Sequence, residues 1–315
     1  MRIGLDIMGG DFAPEATVLG AIKSHIELPS SAIELVLIGR QQQIIEILER
    51  EKVDKSKFVI VDANEVIEMG DHPAKTYSKK LNSSIVKGFQ MLKEGSLDGF
   101  ASAGNTGAML VGAMYSVKSI PGVIRPCIAS PLPKDNGKFG LLLDVGLNPD
   151  CRPDVLYQYA IIGSIYAEHV YNIKKPRIAL LNIGSEEEKG SLLTKSTHEL
   201  MKDTHDFNFV GNIEGNELFS DEKADVVICD GFTGNVVLKN AEGFYTLLRK
   251  RNIRDPFIEE NFNFEKYGGT PVLGINSTVV IGHGISNANA IKNMILHTVE
   301  VVKANISEKI QEAFK

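Results

Sequence analysis

The sequence predicts an α/β fold built on a doubly wound, mostly parallel sheet, and three observations carry that expectation. Short apolar runs recur along the chain, each closing in glycine and each followed by a polar or helical stretch. Several runs are continuous rather than alternating, as in Leu141-Leu142-Leu143 and Val226-Val227-Ile228. Strands buried on both faces read this way, and parallel sheets are built from them. Stretches with helical spacing lie between, and strand–helix alternation over this length implies double winding.

In order, the glycine-closed runs are Ile3–Gly10, Leu35–Gly39, Phe100–Gly107, Leu141–Gly146, Ile178–Gly184, Val226–Gly234 and Val279–Gly284. Between the second and third, Ser83 or Ser84 can cap a helix that carries Ile85, Val86, Phe89 and Leu92. Near the end, Ile291, Ile295, Val299, Val302, Ile306 and Ile310 recur at helical spacing. From Ala241 to about Tyr267 the pattern stops: there is no strand–glycine unit, and a helical excursion with a turn at Asp255-Pro256 is expected. The whole chain, 1–315, is read as one α/β domain carrying that excursion. In such sheets ligands bind outside the carboxyl ends of the strands, where the glycine-ended runs place their loops.

Composition narrows the function classes. With 315 residues, 43% hydrophobic and 23% charged, the chain has an ordinary globular balance. Its net charge of −6 supplies no broad basic field, which argues against nucleic acid as a partner. Cys127, Cys151 and Cys229 form no C-x-x-C pair and sit beside apolar sequence, as buried reduced thiols do; this favours a cytoplasmic setting. Asp6 interrupts the only apolar run at the N-terminus, so a signal-peptide core is not expected, and no apolar run is long enough to span a bilayer.

The familiar catalytic signatures are missing. There is no phosphate-binding P-loop, no dinucleotide fingerprint after a strand, no H-E-x-x-H or spaced Cys/His metal set, and no nucleophile elbow. What remains is a series of small, polar, glycine-rich loops. Ser102–Ala108 can offer unobstructed backbone N–H groups to an anion, most often phosphate, or form a tight turn with no ligand. Met8–Asp11, Asp144–Asn148, Asn182–Gly190 and Asp230–Asn235 close other runs, and turn chemistry explains each taken alone. Glu186–Glu188 read as a solvated helix start. Of seven histidines only His283 lies in such a loop, where it can serve as acid or base or hold the loop through backbone hydrogen bonds.

Taken in order, these loops resemble the bacterial phosphate acyltransferases of phospholipid synthesis, the PlsX family. The matching stretches are Asp6–Asp11, His72–Ala74, Asn82–Ile85, Ser102–Ala108, Leu143–Gly146, Asp150-Cys151, Asn182–Gly190, Asp230–Leu238, Tyr267–Pro271, Gly282–Gly284 and Ala290–Asn293. Each is weak alone; their order along the whole chain is specific. The segment after Gly243 departs from the family in being shorter and more charged.

The resemblance implies a three-layer fold like that of the isopropylmalate dehydrogenase and phosphotransacetylase superfamily. It implies transfer of a fatty acyl group from acyl carrier protein to inorganic phosphate, with no metal or organic cofactor. A homodimer is implied as well, with peripheral contact at the cytoplasmic face of the membrane, where the next acyltransferase works. On this reading Lys189, which matches a family lysine, offsets phosphate charge or donates to the oxyanion, and Asn235 donates to the carbonyl oxygen. His283 is the third catalytic candidate. Gly9, Gly10, Asp11, Ser102, Gly104, Asn105, Thr106, Gly107, Asp144, Asn148, Thr233, Gly234 and Gly284 are the phosphate or substrate-binding candidates.

Arg249, Lys250, Arg251 and Arg254 form the densest basic cluster and are candidates for docking the acidic carrier protein or anionic lipid. The competing functions are a phosphotransacetylase using acyl-coenzyme A and a non-catalytic scaffold for lipid-synthesis enzymes. A metal-dependent dehydrogenase is disfavoured, because no arginine cluster with spaced aspartates is present.

Overall fold

The computed structural model describes residues 1–28 and 32–315. Through residue 118 the elements are β1 (Arg2–Asp6), α1 (Glu15–Glu27), β2 (Glu34–Gly39), α2 (Gln41–Arg50), β3 (Val59–Asp62), α3 (Pro73–Lys79), α4 (Ser84–Lys93), β4 (Gly99–Ser102) and α5 (Thr106–Gly112). Then come β5 (Cys127–Pro133), β6 (Phe139–Leu143), α6 (Pro153–His169), β7 (Arg177–Leu181), α7 (Leu192–Met201), β8 (Asn208–Ile213), β9 (Val226–Ile228), α8 (Gly231–Lys250) and α9 (Pro256–Asn261). The chain finishes with α10 (Phe264–Tyr267), β10 (Thr270–Leu273), β11 (Thr278–Ile281), α11 (Ala288–Lys303) and α12 (Ile306–Ala313). Two compact units divide these elements, where the sequence was read as one domain. The first is Met1–Lys118 with Phe264–Lys303; the second is Ser119–Asn263 with Ala304–Lys315.

In the first unit the strand order is β3-β2-β1-β4-β11-β10, parallel except for β10 against β11. Leu5 pairs with Leu37 and Ala101, and Ile281 pairs with Ser102. The carboxyl ends of β1, β4 and β11 therefore lie level and deliver their loops to one edge. Both faces are buried. Ile3, Leu5, Leu35 and Leu37 pack with Val18, Ala21, Ile291 and Ile295 of α1 and α11. Val36, Ile38, Phe100 and Val279 pack with Ile85, Phe89 and Met109 of α4 and α5. Ser83 caps α4 through the N–H of Val86, as its position predicts.

In the second unit the order is β5-β6-β9-β7-β8, with β5 antiparallel to β6 and the rest parallel. Leu143 and Leu180 both pair with Ile228, so the loops after β6, β9 and β7 also emerge together. Gly163 of α6 lies against Val226 and Leu143; a Cβ there would stand 2.7 Å from Val226, so the helix needs glycine to sit this close to its sheet.

All seven glycine-closed runs are strands. The four strands the pattern did not mark are β3, β5, β8 and β10. Two contain proline, Pro131 and Pro133 in β5 and Pro271 in β10, and both of these lie antiparallel to a neighbour. The other two terminate the strand orders of their units and are less buried. The apolar spacing near the end is divided between two helices, because Asn305 adopts a left-handed conformation (φ +51°) and ends the run after α11. Glu186–Glu188 precede a helix rather than start it; α7 begins at Leu192, with Ser191 accepting from Thr194 N–H.

One buried cation stands out at the opposite end of β5 from its first residue. Lys134 is 3% exposed, and its Nζ donates to Leu218 O at 2.7 Å. Burial, helped by the nearby Arg177 and opposed by Asp225, lowers its pKa to about 8. Between that value and the ordinary 10.5 the unfolded chain holds a proton that the folded one has lost, so this group makes stability rise with pH across that window. Comparing Lys134→Met with the wild type by denaturant unfolding at several pH values, the wild type should gain on the variant from pH 8 upward. A constant difference would show that Lys134 titrates normally.

Candidate active site

In the first unit the loops after β1, β4 and β11 are tied together. Asp11 N–H donates to Gly284 O at 2.8 Å, and Gly282 N–H to Ser102 O at 2.8 Å. A Cβ on Gly9 would stand 2.7 Å from Gly104 N, so these two loops cross backbone to backbone. Gly10 has φ +106°, a conformation that side chains disfavour. The structure thus brings Gly9, Gly10, Asp11, Ser102, Gly104, Asn105, Thr106, Gly107, His283 and Gly284 to one edge.

It also separates scaffold from available surface among them. Ser102 is fully buried; its hydroxyl donates to Asp6 Oδ2 at 2.6 Å and accepts from Gly104 N–H at 2.9 Å. Asn105 spends its side chain likewise. Oδ1 caps α5 through Ala108 N–H, and Nδ2 faces the carbonyls of Glu68, Met69 and Asp71 at 3.0–3.1 Å. The Ser102 and Asn105 side chains and the Gly104 N–H, read as phosphate or substrate-binding candidates, are thus engaged within the protein. The first N–H groups of a helix lack a carbonyl one turn back. In α5 those of Ala108 and Met109 are taken by Asn105, which leaves those of Thr106 and Gly107 without a protein partner among the described residues. Asp11 and Thr106 are exposed, and Gly10, Gly107, His283 and Gly284 half-buried. His283 O accepts from Ser286 N–H and Oγ–H, which fixes the turn after β11.

In the second unit three loops meet in the same fashion. Asp144 closes β6 fully buried and accepts four hydrogen bonds, from the N–H groups of Ile128, Leu147 and Asn148 and from Asn148 Nδ2. Burial raises its pKa and these bonds oppose the rise. Its carboxylate has no acceptor site left over, and Asn148 donates onward to Pro126 O, so both shape the 144–148 turn rather than reach outward. That turn lies on the start of α8: a Cβ on Gly234 would fall 1.9 Å from Asp144 O. Asp230 caps α8, taking Thr233 N–H and its hydroxyl proton. Asn235 is exposed, with Oδ1 beside Gly146.

Lys189 is exposed on the loop after β7 and makes no ion pair among the described residues, so the neighbouring glutamates do not neutralise it. The loop around it is braced. Asn182 accepts from Ile183 N–H and donates to Lys189 O, while Asn212 donates to Glu186 O and meets His198 Nδ1. Gly190 follows at φ +97°, where a Cβ would overlap Asn182 Oδ1.

Within the basic cluster Arg249 and Arg254 share Glu259, at 3.3 and 2.7 Å. Lys250 and Arg251 are exposed and form no ion pair among the described residues. Phe232, Val236, Phe244 and Leu247 of α8 are exposed as well. Among the described residues no helix is long and apolar enough to cross a membrane.

Parallel sheets with glycine-rich, anion-compatible loops at their carboxyl edges define a class of α/β enzymes that handle phosphate. The comparisons agree. The fold is that of a phosphotransacetylase from Streptococcus pyogenes (TM-score 0.68, 17% identity, covering 97% of this chain and 94% of that one) and of a branched-chain phosphotransacylase from Enterococcus faecalis (TM-score 0.63, 14% identity, 96% and 99%). A family model described as "Fatty acid synthesis protein" matches residues 1–309, and the chain belongs to that family. Among its curated relatives are the phosphate acyltransferases of Dictyoglomus thermophilum (42% identity, 99% of this chain and 97% of the relative) and Listeria innocua (39%, 99% and 96%).

Sequence reasoning passed over Asp6, Asn182 and Asn212 as contributors. Asp6 did leave a signal, as the one charged residue inside the first apolar run. Asn105→Ala removes a helix cap and the clamp on the 68–71 carbonyls together. The loss of the cap alone should cost about 1 kcal/mol, read as a lower Tm, and proteolysis should shift into residues 64–72. An unchanged cleavage pattern would refute the clamp.

Proposed function

We propose that this chain is an acyltransferase that moves a fatty acyl group from an acyl carrier protein thioester to inorganic phosphate. The product is acyl phosphate for phosphatidic acid synthesis. The observation that carries the reading is membership, over nearly the whole chain, of a family whose curated relatives are phosphate acyltransferases.

The chemistry of the side chains supports direct transfer without an acyl-enzyme. Burial pushes the thiols of Cys127 and Cys229 far up and that of Cys151 to about 11, so thiolate nucleophiles are scarce at neutral pH. The Ser102 hydroxyl is committed beneath its loop. Phosphate is already an anion and needs only to be held and aimed. One of its oxygens bonds to the thioester carbonyl carbon while the carbonyl oxygen takes the negative charge. Collapse of that intermediate breaks the C–S bond, and the departing sulfur takes a proton.

On this reading the N–H groups of Thr106 and Gly107, with the Gly10 and Gly284 turns, hold phosphate, and Asp11 orients a donor. Lys189 offsets charge or donates to the oxyanion, Asn235 donates to the carbonyl oxygen, and His283 supplies the proton to sulfur. Lys189→Ala or Asn235→Ala should lower acyl-phosphate formation, trapped with hydroxylamine, by about 10²-fold or more. Near wild-type rates in folded variants would remove these two residues from the mechanism, and no product from the wild type would remove the reaction.

The unpaired Lys250 and Arg251 suit an acidic carrier protein as donor. The exposed Phe244 and Leu247 beside them support peripheral contact with the inner face of the membrane, close to a downstream membrane acyltransferase. The homodimer rests on the family resemblance. Charge reversal at Lys250 and Arg251 should raise the KM for acyl carrier protein. A fall in binding to anionic vesicles with that KM unchanged would assign the cluster to lipid alone.

A further inference from the structure

Asp6 ends β1 with 1% of its surface exposed. Its Oδ1 accepts from Met8 N–H at 2.9 Å and its Oδ2 from the Ser102 hydroxyl at 2.6 Å. The Ser84 hydroxyl, at the start of α4, and the Gly9 N–H also bond to it. Four donors therefore converge on one carboxylate, which has about four lone-pair sites and nothing to donate. Asp6 forms no ion pair among the described residues, and burial raises its pKa against the pull of those four bonds. A buried carboxyl without a cation is costly to keep, and its surroundings explain what it secures.

The carboxyl links two loops whose backbones also cross at Gly9 and Gly104. It takes the N–H groups of Met8 and Gly9 directly, and it reaches the 103–107 loop through Ser102, whose Oγ in turn accepts Gly104 N–H at 2.9 Å. A Cβ on Gly9 would lie 2.4 Å from Asp6 Oδ2, and one on Gly104 would lie 3.1 Å from it. Both glycines thus sit on the carboxyl itself. Thr106 and Gly107, whose N–H groups have no protein partner among the described residues, follow two and three residues after Gly104. The Asp6 side chain is the one whose hydrogen bonds reach both the turn before Gly10 and, through Ser102, the Gly104 N–H.

We propose that Asp6, acting through Ser102, is the positioning residue that sets the spacing of the 8–11 and 103–107 loops and thereby the affinity of the enzyme for its phosphate substrate. The inference rests on the assignment of those loops to phosphate. Asp6→Asn keeps the size of the side chain but turns an amide N–H₂ toward donors that need an acceptor. Ser102→Ala removes the hydroxyl that joins Asp6 to Gly104 N–H, losing both of its bonds, and leaves the carboxylate with its Met8 N–H donor.

The test is steady-state kinetics with acyl carrier protein thioester and inorganic phosphate on the full chain, beside Tm measurements. Both variants should raise the KM for phosphate tenfold or more, leave the KM for the acyl donor within twofold, and change kcat less than the KM for phosphate. Adding Ser102→Ala to Asp6→Asn should change the KM for phosphate by less than twofold, because both act through one link. A KM for phosphate that stays put or falls in folded Ser102→Ala overturns the proposal, as does a full additive loss in the double variant. If Asp6→Asn does not fold, Ser102→Ala alone decides. A wild type that makes no acyl phosphate would instead overturn the assignment of the reaction, so the two failures are distinct.

Discussion

The constraint on which both units depend is that a parallel strand must end in a turn tight enough to expose backbone N–H groups, and that turn must be held from beneath. In each unit a buried aspartate does this. Asp6 at the end of β1 and Asp144 just past the end of β6 each accept N–H groups from the residues that follow, and neither has a cationic partner among the described residues. An acceptor-only group under a turn satisfies several donors at once and leaves the outward-facing ones for a ligand. The glycines follow from this arrangement. Gly9, Gly104, Gly231 and Gly234 stand where a Cβ would strike the carboxylate, its carbonyl or a neighbouring loop.

The same economy governs the other polar side chains near the loops. Asn105 caps a helix with its oxygen and gathers three carbonyls with its amide. Asn182 and Asn212 brace the Lys189 loop, and Asp230 takes both the N–H and the hydroxyl of Thr233. Polar residues buried at strand ends are thus mostly engaged with backbone, as buried polar groups must be. Lys189, Asn235 and Thr106, by contrast, keep exposed side chains.

On the function proposed above, this division suits attack by an anion on a thioester. Such a reaction asks for few acid–base groups and many fixed donors, because preorganised dipoles do more for a developing oxyanion than mobile charges do. Cysteine thiols kept protonated by burial fit a path in which phosphate itself forms the new bond.

The sequence by itself determined the fold class and the seven strands that close in glycine, since continuous apolar runs and left-handed turns are local properties of the chain. It also placed the loops at the carboxyl edge of the strands, because strand direction follows from a parallel sheet. Tertiary structure alone decided which residues in those loops are spent and which are free. Ser102 and Thr106 look alike in a string of letters; only the strand alignment that sets Ser102 over Asp6 makes one scaffold and the other surface. The antiparallel pairings of β5 and β10 were likewise fixed by distant contacts, which proline content alone does not express.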